Sequence, residues 1–348
     1  GDDKVPVPAW IHALDALDRS GIERTSNLLF FFEGEEEMGS PHLGTYLDEY
    51  RAKLEGVDAW LIFDGPVHQS RRPQLVFGVR GITSVDITVY GASKGLHSGH
   101  YGNWAPNPGM MLAQLLASMK DDDGNVTIEG FYDSTVPVGP AEQEALESVP
   151  DPDESLRAEL GLARTEGGNA PLKERLLLPS LNVRGLESAN VGEEARNVIP
   201  STATAAIDIR LVKGNEPERM LDLVETHIRE QGYHVVREEP DMETRLKHER
   251  IAKVERHGGY VAARTNMSHP FVQDLAEAAE RAAGEPVILV PSLGGSLPLY
   301  LFTERFEAPL VIVPIANHDN NQHAPNENIR LANLWYGIDL VAAILTME

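Results

Sequence analysis

An acidic segment that could take part in metal-dependent hydrolysis follows the apolar run Leu28–Phe32 and includes the adjacent residues Glu36 and Glu37. We expect the run to be a buried strand, because open α/β sheets place ligand sites at the carboxyl ends of their strands. Adjacent glutamates can divide the work: one binds a metal ion, and the other moves a proton from water to the leaving amine. An acidic surface loop explains this segment equally well when it is considered alone.

Two other strand ends supply side chains of the same kinds. Asp64 directly follows the apolar run Ala59–Phe63, and His323 lies in a polar loop beyond the run Leu310–Ile315. Asp2, in an Asp-Asp pair before a predicted helix, would join them if it lies at the same edge, although such a pair is normally a helix cap. Carboxylates together with an imidazole suit zinc, manganese or cobalt.

Two sequence motifs of other catalytic classes are absent: the chain has no His-Glu-x-x-His and no Gly-x-x-x-x-Gly-Lys. The segment Gly294–Ser296 is typical of a tight turn or a substrate loop rather than of a nucleophile elbow. The absence of cysteine excludes disulfides, thiolate metal sites and cysteine nucleophiles.

The composition limits the class of partner. The chain has 348 residues, of which 42% are hydrophobic, enough for a sizeable core and for about two domains. Asp and Glu number 54 against 30 Lys and Arg, a formal charge of -24, which disfavours nucleic acid and anionic membrane surfaces as partners. No apolar run reaches membrane-spanning length.

The hydrophobic periodicity predicts an α/β fold with an insertion. The predicted helices Pro6–Ser20, Pro270–Ala283 and Leu331–Met347 would cover a mainly parallel sheet. We therefore expect a catalytic domain in two parts, residues 1–80 and 259–348, and an inserted α+β domain at residues 81–258.

The predicted inserted domain combines half-exposed strands with helices. Ser84–Tyr90 and Thr202–Val212 alternate with a period of two, and Pro108–Met119 and Glu216–Gln231 are helical in pattern. Residues 139–168 should form surface loops and short helices of the insert. In Thr202–Val212 the alternation places one set of apolar residues on one face and leaves two charged residues on the other: Ala203, Ala205, Ile207, Ile209 and Leu211 against Asp208 and Arg210.

The ordered motifs resemble those of the M20 metallopeptidases, which include carnosinase-like dipeptidases, carboxypeptidases and N-acyl-amino-acid deacylases. The resemblance covers essentially the whole chain. It rests on these segments, which stand in the family's order: Asp2–Lys4, Glu33–Ser40, Asp64–Gly65, Leu96–Gly99, Asn197–Pro200, Gly294–Pro298 and His323–Glu327. It implies a zinc-peptidase-like catalytic domain with a lid or dimerisation domain inserted.

The resemblance also implies a site with two divalent metal ions, zinc first, with manganese or cobalt as alternatives. Asp2 resembles the carboxylate that bridges both ions, and Glu36 resembles the general base. Glu37 and His323 resemble ligands of one ion, and Asp64 resembles a ligand of the other.

Substrate contacts are implied in the same way. His97 resembles the lid histidine that reaches across a homodimer interface to the substrate carbonyl, although a surface histidine is the alternative. Arg210 resembles the clamp for the substrate's terminal carboxylate, for which a planar guanidinium suits bidentate pairing. Asn197 and Ser296 resemble accessory contacts. His257 is another candidate, and a structural role fits it equally well.

The chain departs from the family pattern at its start. The family's first metal-binding histidine should lie upstream of Asp2, so we expect a longer intact protein, or else the loss of one metal site. Val5 also stands where the family usually has glycine.

The predicted activity is hydrolysis of an amide bond next to a free carboxylate, in a dipeptide, a short peptide or an N-acyl amino acid. The alternatives are an inactive homologue that acts as a dimeric binding protein and an acidic cation-binding protein. The presence of Glu36 and His97 favours the enzyme, because a binding protein needs neither.

Overall fold

The computed structural model describes residues 3–168 and 170–347, and the chain divides into two units. Unit 1 comprises Gly1–Val79, Pro137–Pro152 and Ala263–Glu348, and unit 2 comprises Arg80–Val136 and Asp153–Ala262. No helix of the described ranges is long and apolar enough to cross a membrane.

Both units combine helices with strands. In chain order, the helices are α1 (Pro6–Ser20), α2 (Leu43–Glu49), α3 (Arg51–Leu54), α4 (Ser98–Tyr101), α5 (Pro108–Ala117), α6 (Pro140–Ser148), α7 (Asp153–Glu159), α8 (Leu172–Arg175), α9 (Pro217–Glu230), α10 (Met242–Lys247), α11 (Pro270–Ala283), α12 (Tyr300–Thr303) and α13 (Leu331–Leu345). The strands are β1 (Trp60–Ile62), β2 (Gln74–Val76), β3 (Gly78–Val79), β4 (Gly81–Tyr90), β5 (Leu96–His97), β6 (Ser180–Glu187), β7 (Val198–Ile199), β8 (Thr202–Leu211), β9 (His234–Val236), β10 (Ile251–Tyr260), β11 (Ala263–Arg264), β12 (Ile288–Val290) and β13 (Leu310–Ile312).

Unit 1 contains a four-stranded sheet in the order β1-β13-β2-β12. The pairs β1–β13 and β2–β12 are parallel, and β13–β2 is antiparallel. Apolar faces of α1, α11 and α13 pack into the same core as the sheet, as shown by the burial of Ala9, Leu275 and Leu340 with Val311. The predicted α/β class with parallel strands and flanking helices is confirmed.

The prediction that Leu28–Phe32 is a buried strand is wrong. No strand is assigned to these residues, and Phe32 is 75% exposed. An apolar run becomes a strand only where a neighbour completes its backbone hydrogen bonds, and the described residues provide no strand pairing for this one. Its rings contact helices instead: the centroid of Phe30 lies 5.1 Å from that of Trp10, and the centroid of Phe31 lies 6.4 Å from that of Phe302.

The segment Pro137–Pro152, predicted to belong to the insert, groups with unit 1. Its helix α6 buries Ala145 in the core of unit 1. Glu142 of the same helix forms an ion pair of 3.0 Å with Arg264, and both side chains are almost fully buried. The acidic and proline-rich composition predicted a surface segment but did not reveal this long-range pair.

Unit 2 is built on a five-stranded sheet in the order β6-β8-β4-β10-β9, antiparallel except for the pair β10–β9. Helices α5 and α9 bury their apolar sides in one core with one face of this sheet. The predicted alternation in β8 is confirmed, because Ala203, Ala205, Ile207, Ile209 and Leu211 are all buried. The opposite face carries Asp208 and Arg210 and is the polar face of the sheet.

Candidate active site

The carboxyl ends of β1 and β13 meet at one edge of the sheet of unit 1, because these strands are parallel. Beyond the strands the two chain segments stay paired: Val313 N donates to Ile62 O at 2.7 Å, and Val67 N donates to Ala316 O at 2.7 Å. Asp64 therefore emerges beside the start of the loop that carries His323. This topology agrees with the prediction that Asp64 and His323 lie at the same edge of the sheet.

Glu36 and Glu37 belong to a short 3-10 helix, Glu36–Met38, and not to the end of a strand. The helix closes at Gly39, whose N–H donates to Glu36 O at 2.8 Å and whose φ of 81° suits glycine. The side chain of Glu37 lies 2.9 Å from His323, measured from Oε1 to Nε2. Two predicted ligands of one metal ion, 286 residues apart in sequence, are thus in direct contact.

The loop around His323 is held in an uncommon conformation. Asn321, His323 and Asn326 have φ values of 58°, 59° and 66°, in the left-handed region that non-glycine residues rarely adopt. Buried Asn317 and Asn320 support the loop: Arg330 N donates to Asn317 Oδ1 at 2.8 Å, and Asn328 N donates to Asn320 O at 2.8 Å. Strain of this kind is concentrated at functional sites.

Of the remaining predicted ligands, Asp64 is half-buried and accepts a hydrogen bond from Gly65 N at 2.7 Å. Asp2 lies outside the described residues. Residues 3–168 and 170–347 contain no group of three or more His, Asp or Glu side chains placed to hold a metal ion. The donors that meet at Glu37 and His323, a carboxylate oxygen and an imidazole nitrogen, nevertheless fit a divalent ion in their chemistry.

His97 and Asn197 lie side by side in unit 2. Strand β5 pairs with β7, and Ser98 N donates to Asn197 O at 2.9 Å. Nδ1 of His97 accepts from Gly99 N at 3.1 Å, so a neutral ring carries its proton on Nε2. The exposed imidazole can therefore donate a hydrogen bond to an oxygen of a ligand.

Arg210 and His257 lie on the polar face of the five-stranded sheet. Arg210 Nε donates to Asp208 Oδ2 at 3.3 Å, and His257 Nε2 lies 3.0 Å from Asp86 Oδ2. Ser84 of β4 is opposite Asp208 of β8 in one pairing and opposite His257 of β10 in the other. The register of the sheet therefore fixes His257 relative to the pair of Asp208 and Arg210. A β-bulge follows His257 in β10 and changes the direction of that strand.

Two residues of this region were missed by the sequence reasoning. Asp86 fixes the ring of His257, and its position two residues after Ser84 in an alternating strand already placed it on the polar face. Arg80 is buried just before β4, and nothing in the neighbouring sequence indicates that it is buried.

The predicted substrate contact Ser296 is half-buried in the loop after β12 of unit 1.

An α/β unit with an aspartate and a histidine in the segments that follow two parallel strands, and with a glutamate in contact with that histidine, is typical of a metal-dependent hydrolase. A model of the family described as peptidase family M20/M25/M40 matches residues 1–347, and the chain belongs to this family. The predicted resemblance and the predicted enzyme class are thereby confirmed. The chain is an enzyme of the metallopeptidase class, whose members use divalent metal ions.

Individual relatives agree with this assignment. The chain is 30% identical to the Cys-Gly metallodipeptidase of Candida albicans over 99% of its own length and 69% of that protein. It is 27% identical to the Beta-Ala-His dipeptidase of Homo sapiens over 98% of its own length and 66% of that protein. The crystal structure of an M20 family metallo-carboxypeptidase from Sulfolobus solfataricus superposes with a TM-score of 0.79 at 27% identity, over 99% of this chain and 75% of that one.

Proposed function

We propose that this protein hydrolyses an amide or peptide bond next to a free carboxylate, with dipeptides as the first substrates to test. Its relatives include a Cys-Gly dipeptidase and a Beta-Ala-His dipeptidase, which supports this choice. The observation that carries the proposal is the contact between Glu37 and His323, which joins two candidate metal ligands beside Glu36. Short peptides and N-acyl amino acids are the other substrate classes of the proposal.

The proposed site holds two divalent ions, zinc first, with manganese or cobalt as alternatives. Glu37 and His323 would hold one ion and Asp64 the other, and Asp2, which lies outside the described residues, is the candidate ligand of both. Such ions supply a Lewis acid that polarises the carbonyl and lowers the pKa of water. Glu36, in the same helical turn as Glu37, accepts the proton of the attacking water and returns it to the leaving nitrogen.

The substrate is proposed to be held mainly by residues of unit 2. Arg210 pairs with the free carboxylate, and His97 donates its Nε2 proton to the oxygen that becomes negative in the transition state. Asn197, Ser296 and His257 are accessory contacts.

Paired substitutions at the two glutamates test the proposed roles. Glu36→Gln should keep the bound metal and lower the rate of Cys-Gly hydrolysis by about 10²- to 10⁴-fold, because it removes the proton carrier and keeps the size. Glu37→Gln should lose metal as well as activity. Glu35→Gln is the matched control, because Glu35 pairs with His42 at 2.9 Å. Metal content by elemental analysis and hydrolysis rates are the measurements, and a Glu36→Gln protein with nearly parental activity would contradict the assignment.

The homodimer is the remaining part of the proposal. His97 and Asn197 belong to unit 2, whereas Glu36 and His323 belong to unit 1. If His97 of one protomer serves Glu36 of the other, inactive His97→Ala and inactive Glu36→Gln proteins should regain activity when mixed, because one site per mixed dimer is intact. A size tag verifies subunit exchange. Mixed dimers without activity would contradict the shared site.

A further inference from the structure

Arg80 is a buried cation whose hydrogen bonds go to uncharged groups. The residue is 6% exposed, and its Nη2 donates to Leu178 O at 2.7 Å and to Ser180 Oγ at 3.1 Å. Its Nε is buried and has no hydrogen-bond acceptor in the part of the chain that the structure describes. Within that part, no carboxylate forms an ion pair with Arg80.

Arg80 lies on the polar face of the sheet next to Arg210. Ser180, which accepts a hydrogen bond from Arg80, is directly opposite Arg210 in the pairing of β6 with β8. Ile82 is directly opposite Arg210 in the pairing of β4 with β8, and Arg80 precedes Ile82 by two residues. Because strand side chains alternate, Arg80 and Arg210 lie on the same face.

The charges around Arg80 favour an additional anion. Asp208 is the carboxylate whose charge acts on Arg80, but it lies 3.3 Å from Nε of Arg210 and pairs with that group. Burial, and then the charge of Arg210, lowers the pKa of Arg80 to about 10, which leaves the side chain protonated at neutral pH. A buried guanidinium with an unpaired N–H is costly, and a bound carboxylate would remove that cost.

We propose that Arg80 and Arg210 together form a two-arginine site for the free carboxylate of the substrate, in which Arg80 sets the preference for a free acid over an amide. Arg80 adds a second guanidinium to the one assigned to Arg210. Its hydrogen bonds to Leu178 O and Ser180 Oγ hold the planar group in place, which preorganises it for a carboxylate. The inference rests on the proposed function in one respect, namely that the carboxylate belongs to the substrate.

The test compares the binding of N-acetylglycine and N-acetylglycinamide by calorimetry, which requires no turnover. The parent protein should prefer the acid, and Arg80→Met should reduce this preference by about 10- to 100-fold, the range expected for a charge-assisted hydrogen bond in a buried site. Binding of the amide should hardly change. Arg184→Met, which removes an exposed guanidinium from the same strand as Ser180, should keep the full preference.

Two results would overturn the proposal: a parent protein without preference for the acid, or an Arg80→Met protein that keeps it. Circular dichroism checks the folding of each variant. If Arg80→Met does not fold, Arg80→Lys replaces it; the compact ammonium cannot form the planar fork, so an undiminished preference there also overturns the proposal.

Hydrolysis of Cys-Gly by the same proteins separates the role of Arg80 from the proposed function. A parent protein that binds the acid selectively, loses this preference in Arg80→Met and does not hydrolyse Cys-Gly supports the role of Arg80 and contradicts the proposed function. A parent protein that hydrolyses Cys-Gly, with a KM that Arg80→Met leaves unchanged, contradicts the role of Arg80 alone.

Discussion

A buried carboxylate on α9, that of Glu225, should make a large and pH-dependent contribution to the stability of unit 2. Its side chain is 2% exposed and accepts hydrogen bonds from three arginines: Arg229 at 2.5 Å, Arg237 at 2.7 Å and Arg256 at 2.6 Å. Glu225→Gln keeps the size of the side chain and removes the charge that these cations share.

The magnitude follows from the pKa of Glu225. Burial alone would raise this pKa, but the hydrogen bonds from Arg256, Arg237 and Arg229 outweigh burial and lower the pKa from 4.5 to about 2. At about 1.36 kcal/mol per pH unit, this interval corresponds to ~3 kcal/mol of unfolding free energy. Because the folded-state pKa is the lower one, this contribution is complete above pH 4.5 and is lost as the pH falls toward 2.

Urea unfolding of the parent and of Glu225→Gln at pH 7, 5, 4 and 3 measures this contribution. We expect a difference of ~3 kcal/mol that is constant from pH 7 to pH 5 and decreases below that. Glu218→Gln is the control: Glu218 also pairs with Arg256, but its side chain is 76% exposed, so its loss should be within about 0.5 kcal/mol. Hydrogen exchange of the amides in α9 and β10 locates the effect in unit 2.

Two outcomes would refute the reasoning about Glu225. One is a difference below about 1 kcal/mol at pH 7, which would mean that water replaces the carboxylate around the arginines. The side chains of Arg229 and Arg237 are about half exposed, so water can reach them once the charge is gone. The other is a large difference that does not depend on pH, which would indicate a packing effect of the substitution and not a charge effect.

Two further predictions concern the backbone and the metal. Gly214 has a φ of 97°, and a Cβ there would lie 2.1 Å from Ser134 O, whereas Gly232, with a φ of 85°, has open space. Gly232→Ala should lose about 1 kcal/mol from backbone strain, and Gly214→Ala clearly more; equal losses in urea unfolding would contradict the steric argument. Removal of divalent ions with a chelator should abolish Cys-Gly hydrolysis, and zinc, manganese or cobalt should restore it. Activity that persists in a metal-free protein, verified by elemental analysis, would exclude the proposed metal chemistry.

The elements with long amphipathic patterns could be predicted from the sequence. Helices α1 and α11 have the predicted bounds, and β8 buries the predicted face. An amphipathic pattern shows which side of a helix or strand is buried, and it depends only on the residues of that element. The short strands β2 and β12 were not predicted; β1 and β13 are equally short, but longer apolar runs surround them in the sequence.

The run Leu28–Phe32 shows the limit of the same reasoning. Its composition satisfies every requirement of a buried strand, but strand formation also needs a neighbour with free backbone groups, which composition cannot report. The sequence therefore predicted Glu36 and Glu37 at the end of a strand, whereas they lie on a short 3-10 helix. The contact of Glu37 with His323 arises from a helical turn.

The candidate site was predictable in its residue types and only partly in its geometry. Parallel pairing of β1 with β13 places Asp64 beside the His323 loop, and a topology rule is sufficient to expect this. The environment of Arg80 could not be expected, because it depends on the register of three strands: β4, β8 and β6. One residue of slip in either pairing would move Arg210 to the apolar face of the sheet.

The composition of the His323 loop follows from the conformation that it must hold. Three of its residues have positive φ values, and two of these are asparagines, Asn321 and Asn326, which tolerate this region better than most side chains. Histidine, like asparagine, is enriched in this region, and hydrogen bonds of neighbouring residues hold the loop around His323. The buried residues Asn317 and Asn320 provide them. The asparagines of this loop thus have a structural role, and the imidazole that meets Glu37 is the group that they position.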